Sequence, residues 1–175
     1  MLDVTKSESN MRSYLSDGLI KKEPFKQIVY DTLMRNHKES LQLADELFSR
    51  RRSTLWTIVI SYYSMFYIAS AALYKRGYKI GDRGAHKIAA DGLVVVLRNR
   101  LAKSLFEEYD SAREDAQTIA KMDADEIIES FDKERGKRSE IQYETTDAIK
   151  EGKAKTSLER AKRFSTAMQK MMEDA

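Results

Sequence analysis

One uncharged segment limits what this chain can fold into more than any other feature. From Leu55 to Tyr74 no residue carries a charge, whereas three arginines at 50–52 precede the segment and Lys75-Arg76 follow it. Twenty such residues are long enough for a helix that crosses a membrane. The segment contains three serines, one threonine and four tyrosines, however, and basic flanks on both sides encode no orientation. We therefore predict the buried central helix of a soluble bundle, apolar on every side because every side is covered.

The rest of the sequence predicts further helices around this central one. Seven glycines and one proline in 175 residues are too few for the many tight turns of an all-β fold. Apolar residues recur at helical spacing from residue 25 to about Ser49, and again over 86–98, 101–119 and 156–172. The sequence thus predicts an all-α fold, an up-and-down helical bundle with a long buried central helix.

The N-terminal end of the chain differs in composition from the rest. Residues 1–22 are mostly polar with scattered apolar residues, which predicts an N-terminal extension or a short helix that ends near Gly18. They contain no apolar run of the kind that a secretory signal needs. No repeat or low-complexity linker divides the remaining sequence, so residues 1–175 are predicted to form a single domain.

Local signals in the second half of the chain predict several boundaries. The glycines and aspartate of YKIGDRG (78–84) are typical of a loop. The segments DADE (123–126) and TSLE (156–159) have the spacing of capping boxes, so a helix is expected to begin at each of them. Residues 137–153 have weak periodicity, and we predict an irregular segment with about one helical turn there.

The residue inventory excludes several classes of chemistry. No cysteine is present, which rules out disulfides and thiolate chemistry, and two histidines make a structural zinc site unexpected. Standard phosphate-loop, dinucleotide-binding and zinc-protease motifs are absent from the sequence. We therefore expect no metal and no cofactor, and a reducing cytoplasm is the expected location. The net charge of +3 is too small to demand nucleic acid as a partner.

Two groups of residues have an ordinary structural interpretation beside a functional one. His37 lies on the apolar stripe of its helix, four residues after Leu33 and four before Leu41, which predicts a histidine bonded within the core. The three arginines at 50–52 could bind phosphate, but a solvated helix junction is the more usual meaning of such a run.

Two further pairs are better candidates for a binding site. His86-Lys87 opens a helix after a glycine-containing loop, with Arg83 nearby, and this arrangement suits an anion at the helix N-terminus. A capping and solvating role is the alternative. Arg138 and Tyr143 fall in the segment of weak periodicity, where loops held by a scaffold often carry function, although two such residues alone are ordinary surface residues more often than not.

The order of these elements resembles that of small HEPN-domain proteins. The stretch SYYSMFYIASAALYKRGYKI (61–80) is similar to the central helix of that family. In such proteins the next helix opens with His-Lys, matched here by His86-Lys87, and an arginine, a short acidic stretch and a tyrosine follow later, matched by RSEIQYE from Arg138 to Glu144. The resemblance covers about residues 25–145 and rests on the order and spacing of the three elements together.

The resemblance implies a helical bundle that is commonly a homodimer. Many family members are metal-independent ribonucleases, or toxins paired with a nucleotidyltransferase-type antitoxin, and others bind nucleotides or RNA. The nuclease members have an arginine, four to six residues, and then a histidine. Here four residues separate Arg138 from Tyr143, which replaces the histidine. A tyrosine with its ordinary pKa of about 10 is a poor general base at pH 7, but it can bind phosphate or stack on a base.

Three functions therefore compete. The first is an RNA- or nucleotide-binding HEPN module of a toxin–antitoxin or defence system, with a degenerate nuclease motif and a site formed by Arg138, Tyr143, His86, Lys87 and Tyr63. The second is a metal-independent HEPN ribonuclease toxin in which His86 replaces the missing histidine. The third is a non-catalytic structural or partner-binding bundle. None of the three involves a membrane.

A strip of small residues also favours a homodimer. Thr57, Ser61 and Ser64 share one face of the central helix, and their size lets another backbone approach closely. The alternative is that the strip packs only inside the monomer.

Overall fold

A computed structural model describes residues 3–133 and 141–174, and within these ranges the side chains of 3–120 and 151–174. The described residues form six helices and two short antiparallel strands. In chain order the elements are α1 (Val4–Ser16), β1 (Ile20–Lys22), α2 (Gln27–Ser49), α3 (Thr54–Lys75), β2 (Tyr78–Ile80), α4 (Ala85–Leu97), α5 (Lys103–Lys133) and α6 (Ile141–Glu173). The prediction of an all-α helical bundle is confirmed.

Helix α3 is the centre of the bundle. It packs against α2, α4, α5 and α6. The Ser53 hydroxyl accepts a hydrogen bond from the Trp56 N–H at 3.2 Å and so caps its start. Beyond its end Gly77 takes a φ of 86°, which side chains disfavour. Among the described helices α3 alone is long and apolar enough to cross a membrane, but 67% of its most apolar 18-residue stretch is buried. This burial favours a soluble bundle.

The main core forms where four helices meet α3. Its largest fully buried side chains come from α3 and from the helices around it, and they include Met65, Ile68, Leu93, Leu97, Tyr109, Phe164 and Met168. Burial of such side chains contributes about 1.5–3 kcal/mol each. The stripes read from the sequence in α4, α5 and α6 therefore mark the faces that cover α3.

The N-terminal residues are tied to the bundle by polar bonds as well as apolar contact. The Asp91 carboxylate on α4 accepts hydrogen bonds from the Ser7 hydroxyl (2.8 Å), the Asn10 amide (3.0 Å) and the Tyr14 hydroxyl (2.9 Å). A small cluster of Met11, Ile20 and Ile88 packs beside them. The prediction of a short helix ending near Gly18 is confirmed, since α1 ends at Ser16.

Several predicted boundaries are wrong. Helix α5 runs through DADE (123–126) to Lys133, and α6 includes both residues 141–153 and TSLE (156–159). The Thr156 hydroxyl donates to the Gly152 carbonyl at 3.0 Å, a bond made within a helix and not at its start. Good helix formers such as glutamate, lysine and alanine continue a helix where apolar periodicity is weak.

The predicted loop at 78–84 also begins with a strand. Ile20 pairs with Ile80, and Lys22 pairs with Tyr78, so that β1 and β2 form a small antiparallel sheet. The strands are far apart in sequence, and each is only three residues long. Their pairing depends on where α1 and α3 end, which local sequence signals do not encode.

Candidate functional site

His86 lies in a cluster of aromatic rings at the start of α4. Its ring centroid is 4.5 Å from that of Phe66 and 5.4 Å from that of Tyr63. Its Nδ1 atom is 2.9 Å from the Tyr62 hydroxyl. Gly84, with a φ of 67°, precedes the helix and brings the chain from β2 into this position. Two residues predicted to share a site, His86 and Tyr63, are therefore neighbours.

These rings line a groove between α2, α3 and the segment that leads into α4. The groove has a volume of about 330 Å³. We call it the aromatic groove, and its lining includes Val29, Leu33, Tyr63, Phe66, Tyr74, Lys79, Asp82 and His86. Tyr63 is 37% exposed, so a flat ligand can reach its ring. The groove combines aromatic faces with one lysine and one aspartate, a lining suited to a flat, partly polar molecule.

The ionisation of His86 is set by its surroundings. Burial lowers the pKa of its imidazole below the ordinary value of 6.5, and the positive charge of Arg113 lowers it further. Burial raises the pKa of Tyr62 above the ordinary value of 10. Both groups are therefore neutral at pH 7, and the tautomer of the imidazole decides which of them donates in their hydrogen bond. His86 thus offers stacking and hydrogen bonding at pH 7, but no positive charge.

Lys87 lies in a different part of the structure from the side chain of His86, although the two residues are consecutive. His86 lines the aromatic groove, whereas Lys87 lines a second cavity of about 240 Å³ between α1, α4 and α5. We call this second space the polar cavity; it also contains Tyr109 and Arg113. His86 and Lys87, which the sequence groups in one site, line different cavities because consecutive residues of a helix point about 100° apart.

Arg138 and the side chain of Tyr143 lie outside the described residues. The arginines at 50–52 are described and are exposed. Arg51 and Arg52 line a cavity of about 460 Å³ near the start of α3, and the Arg51 Nε atom lies 4.0 Å from a carboxylate oxygen of Glu151. Their exposure agrees with the solvated helix junction that such an arginine run usually indicates.

His37 is confirmed as a core histidine. Its residue surface is 1% exposed, and its Nδ1 atom donates to the Ser64 carbonyl at 2.9 Å. Burial lowers its pKa below the ordinary 6.5. The strip of small residues on α3 is buried as well, because Thr57, Ser61 and Ser64 are fully buried within the monomer. The strip therefore packs inside the chain and offers no surface to a second copy.

Three polar residues near these sites were not singled out by sequence reasoning. Tyr62 bonds His86, Tyr109 packs against Tyr62 with ring centroids 5.8 Å apart, and the Arg113 Nη2 atom lies 2.6 Å from Asp110. The spacing of Tyr109 and Arg113, one helical turn apart on α5, was the available signal. It was uninformative without the knowledge that this face meets α3 and α4.

Within the described ranges no group of three or more His, Cys, Asp or Glu side chains is placed to hold a metal ion. Comparison of the chain with protein-family models, with curated proteins and with solved structures gave no match.

We predict that the protein loses stability as the pH falls from 8 to 5.5. The pKa values of His37 and His86 are both lowered by folding, so the unfolded chain binds more protons below about pH 6.5. The stabilisation is therefore fully present above the unfolded pKa and is lost as the pH falls toward the folded values. Urea unfolding at several pH values measures the free energy, and NMR titration measures each imidazole pKa.

A His37→Gln variant is the control for this prediction. It removes one titrating imidazole, so the dependence of unfolding free energy on pH should become shallower. An imidazole pKa at or above 6.5 for both histidines in the folded protein contradicts the prediction.

Proposed function

We propose that the chain is an RNA- or nucleotide-binding module of the HEPN type, with a nucleobase bound in the aromatic groove. The observation that carries the proposal is the cluster of Tyr63, Phe66 and His86 rings on one wall of that groove. Unstacked bases are bound by proteins mainly through aromatic faces and hydrogen bonds at their edges. A neutral imidazole beside an exposed tyrosine supplies both.

The same geometry favours binding over cleavage. RNA cleavage without a metal needs a group that titrates near neutrality and is free to move protons. The His86 ring is packed on Phe66, and its Nδ1 atom is engaged by the Tyr62 hydroxyl. No arginine stands four to six residues before His86 in the sequence, so the nuclease spacing is missing there as well.

Phosphate contact is assigned to Arg138 in this proposal, on the resemblance alone. Lys79, the cation of the groove, already pairs with Glu23 at 3.1 Å. A planar guanidinium suits phosphate oxygens better than an ammonium does. Tyr143 would then add a hydrogen bond or a stacking contact.

We expect Tyr63→Ala to weaken binding of a short single-stranded RNA. Loss of one stacked base costs about 1–3 kcal/mol, which corresponds to a roughly fivefold to hundredfold rise in Kd. Fluorescence anisotropy with a labelled oligonucleotide measures this Kd, and His86→Ala should raise it as well. Trp56→Ala is the matched control, because Trp56 is an exposed aromatic on the same helix that does not line the groove.

Each of three outcomes would contradict the proposal. Equal loss of affinity in the Trp56 and Tyr63 variants removes the groove from the binding site. Cleavage of the RNA that His86→Ala abolishes supports the ribonuclease toxin. Absence of RNA and nucleotide binding by the folded parent protein leaves the structural or partner-binding bundle.

Arg138→Ala should weaken RNA or nucleotide binding about tenfold or more, because a charge-assisted hydrogen bond worth about 1.5–3 kcal/mol is lost. Binding by the parent should weaken with added salt, as phosphate contacts do. Tyr143→Phe should matter less than Tyr143→Ala if stacking dominates, and Tyr143→His would restore the arginine–histidine spacing of the nucleases. The assignment fails if Arg138→Ala stays folded, by circular dichroism, and binds as the parent does.

The proposal includes a homodimer, a nucleotidyltransferase-type antitoxin as a second partner, and the cytoplasm as location. The homodimer and the antitoxin follow from the family resemblance, and the cytoplasm follows from the absence of cysteine. The small-residue strip no longer supports the dimer, but α2 carries the most exposed large apolar side chain among the described residues, Ile28 at 72%, beside Phe25 at 48%. Apolar side chains exposed side by side are typical of interaction surfaces.

Light scattering at micromolar concentration should give twice the chain mass of 20.2 kDa. Ile28→Lys should shift the mass toward the monomer, because a charge would have to be desolvated in the interface. The control Lys38→Ala changes another residue of α2 that is exposed but not apolar. A monomer mass for the parent protein contradicts the dimer, and an unchanged dimer in Ile28→Lys moves the interface away from this face of α2.

A further inference from the structure

We infer that the polar cavity between α1, α4 and α5 binds a small molecule through a carboxylate or phosphate oxyanion. The cavity has a volume of about 240 Å³ and shares no lining residue with the aromatic groove. That volume is below the usual range for drug-sized ligands, so the occupant is small.

Two donors in the cavity lack an acceptor. The Tyr109 residue is 1% exposed, and its hydroxyl has no hydrogen-bond partner of acceptable geometry among the described residues, although it lies beside Tyr62. The Nε atom of Arg113 is also buried and unpartnered there. More than nine in ten buried polar groups in native proteins have a partner, so two neighbouring exceptions require an explanation.

Both unpartnered groups are donors and therefore require the same kind of ligand atom. Tyr109 and Arg113 are four residues apart on α5, a rise of roughly 6 Å on one helix face. A guanidinium N–H only donates. Burial raises the pKa of Tyr109 well above 10, so its hydroxyl keeps its proton and is able to donate. Each of these two donors requires an acceptor, and a charged oxygen is the strongest partner for them.

The hydrogen bonds around the cavity favour an anion over a cation. Its carboxylates are already engaged: Asp91 accepts three hydrogen bonds from α1, Asp110 pairs with Arg113, and Asp3 accepts from the Lys6 N–H. The Lys6 and Lys87 ammonium groups, in contrast, make no ion pair with any described residue. The carboxylates are thus occupied by donors of the chain, whereas the two ammonium groups remain available to a ligand.

Isothermal titration in chloride buffer tests the inference with inorganic phosphate and with acetate as separate probes. We expect saturable binding of at least one of them by the full chain, with a rise in Tm at saturation. Binding of phosphate alone identifies a phosphorylated ligand, and binding of acetate alone identifies a carboxylate. The inference is overturned if neither probe produces binding heat or a change in Tm at any concentration up to the millimolar range.

Tyr109→Phe is the decisive variant, because it removes one oxygen and keeps the ring in the core. The anion Kd should rise at least fivefold while the Tm of the ligand-free protein stays equal or increases, since an unpartnered buried hydroxyl is removed. Tyr30→Phe is the matched control: its hydroxyl contacts the Met172 sulfur and it does not line the polar cavity, so this variant should retain anion affinity. Unchanged anion affinity in Tyr109→Phe overturns the inference.

Arg113→Lys provides a second measurement. It keeps the positive charge but removes the Nε–H donor, and a folded variant should also show a raised anion Kd. Tyr63→Ala, which changes the aromatic groove, should leave anion binding unaltered. The same Kd in the Arg113→Lys variant and the parent contradicts the assigned donor, whereas weakened anion binding in Tyr63→Ala contradicts the separation of the two cavities.

Discussion

The burial of α3 is the constraint on which the rest of the structure depends. A helix with no charged side chain over twenty residues is stable in water only if other helices cover it, and α2, α4, α5 and α6 do so. Several polar groups within it are satisfied locally, whereas the buried Ser61 hydroxyl has no partner among the described residues. The Ser64 hydroxyl donates to the Ser61 carbonyl at 2.7 Å, and the Ser64 carbonyl accepts from His37. These bonds let a helix with serines and a threonine occupy the centre of the bundle.

The two cavities follow from how α4 meets this central helix. Tyr62 and Tyr63 are adjacent on α3, and their side chains diverge by about 100°, so that one is buried toward α5 and the other lies at the groove. The same divergence on α4 sends His86 to the aromatic groove and Lys87 to the polar cavity. One helix junction therefore supplies residues to both sites. The groove is aromatic because α3 is rich in tyrosine and phenylalanine, and the cavity is polar because α1 and α5 are rich in charge.

Sequence periodicity was sufficient for the fold and insufficient for much of the site. The stripe of α5 and the uncharged run of α3 predicted helices because a buried helix face repeats with the helical period. The β1–β2 pair was missed because Ile20 and Ile80 meet only through the tertiary arrangement. The position of His86 at a helix start makes it a candidate and the resemblance adds Tyr63, whereas Tyr109 is only one apolar position within the periodic segment 101–119. Its hydroxyl is notable only because it is buried without a partner in the fold, and no local sequence pattern reveals this.

The charge of Arg113 connects the two proposals physically. It lies in the polar cavity, and it also lowers the pKa of His86 in the aromatic groove. An anion bound beside Arg113 would cancel part of that field, and the pKa of His86 would move back toward its ordinary value.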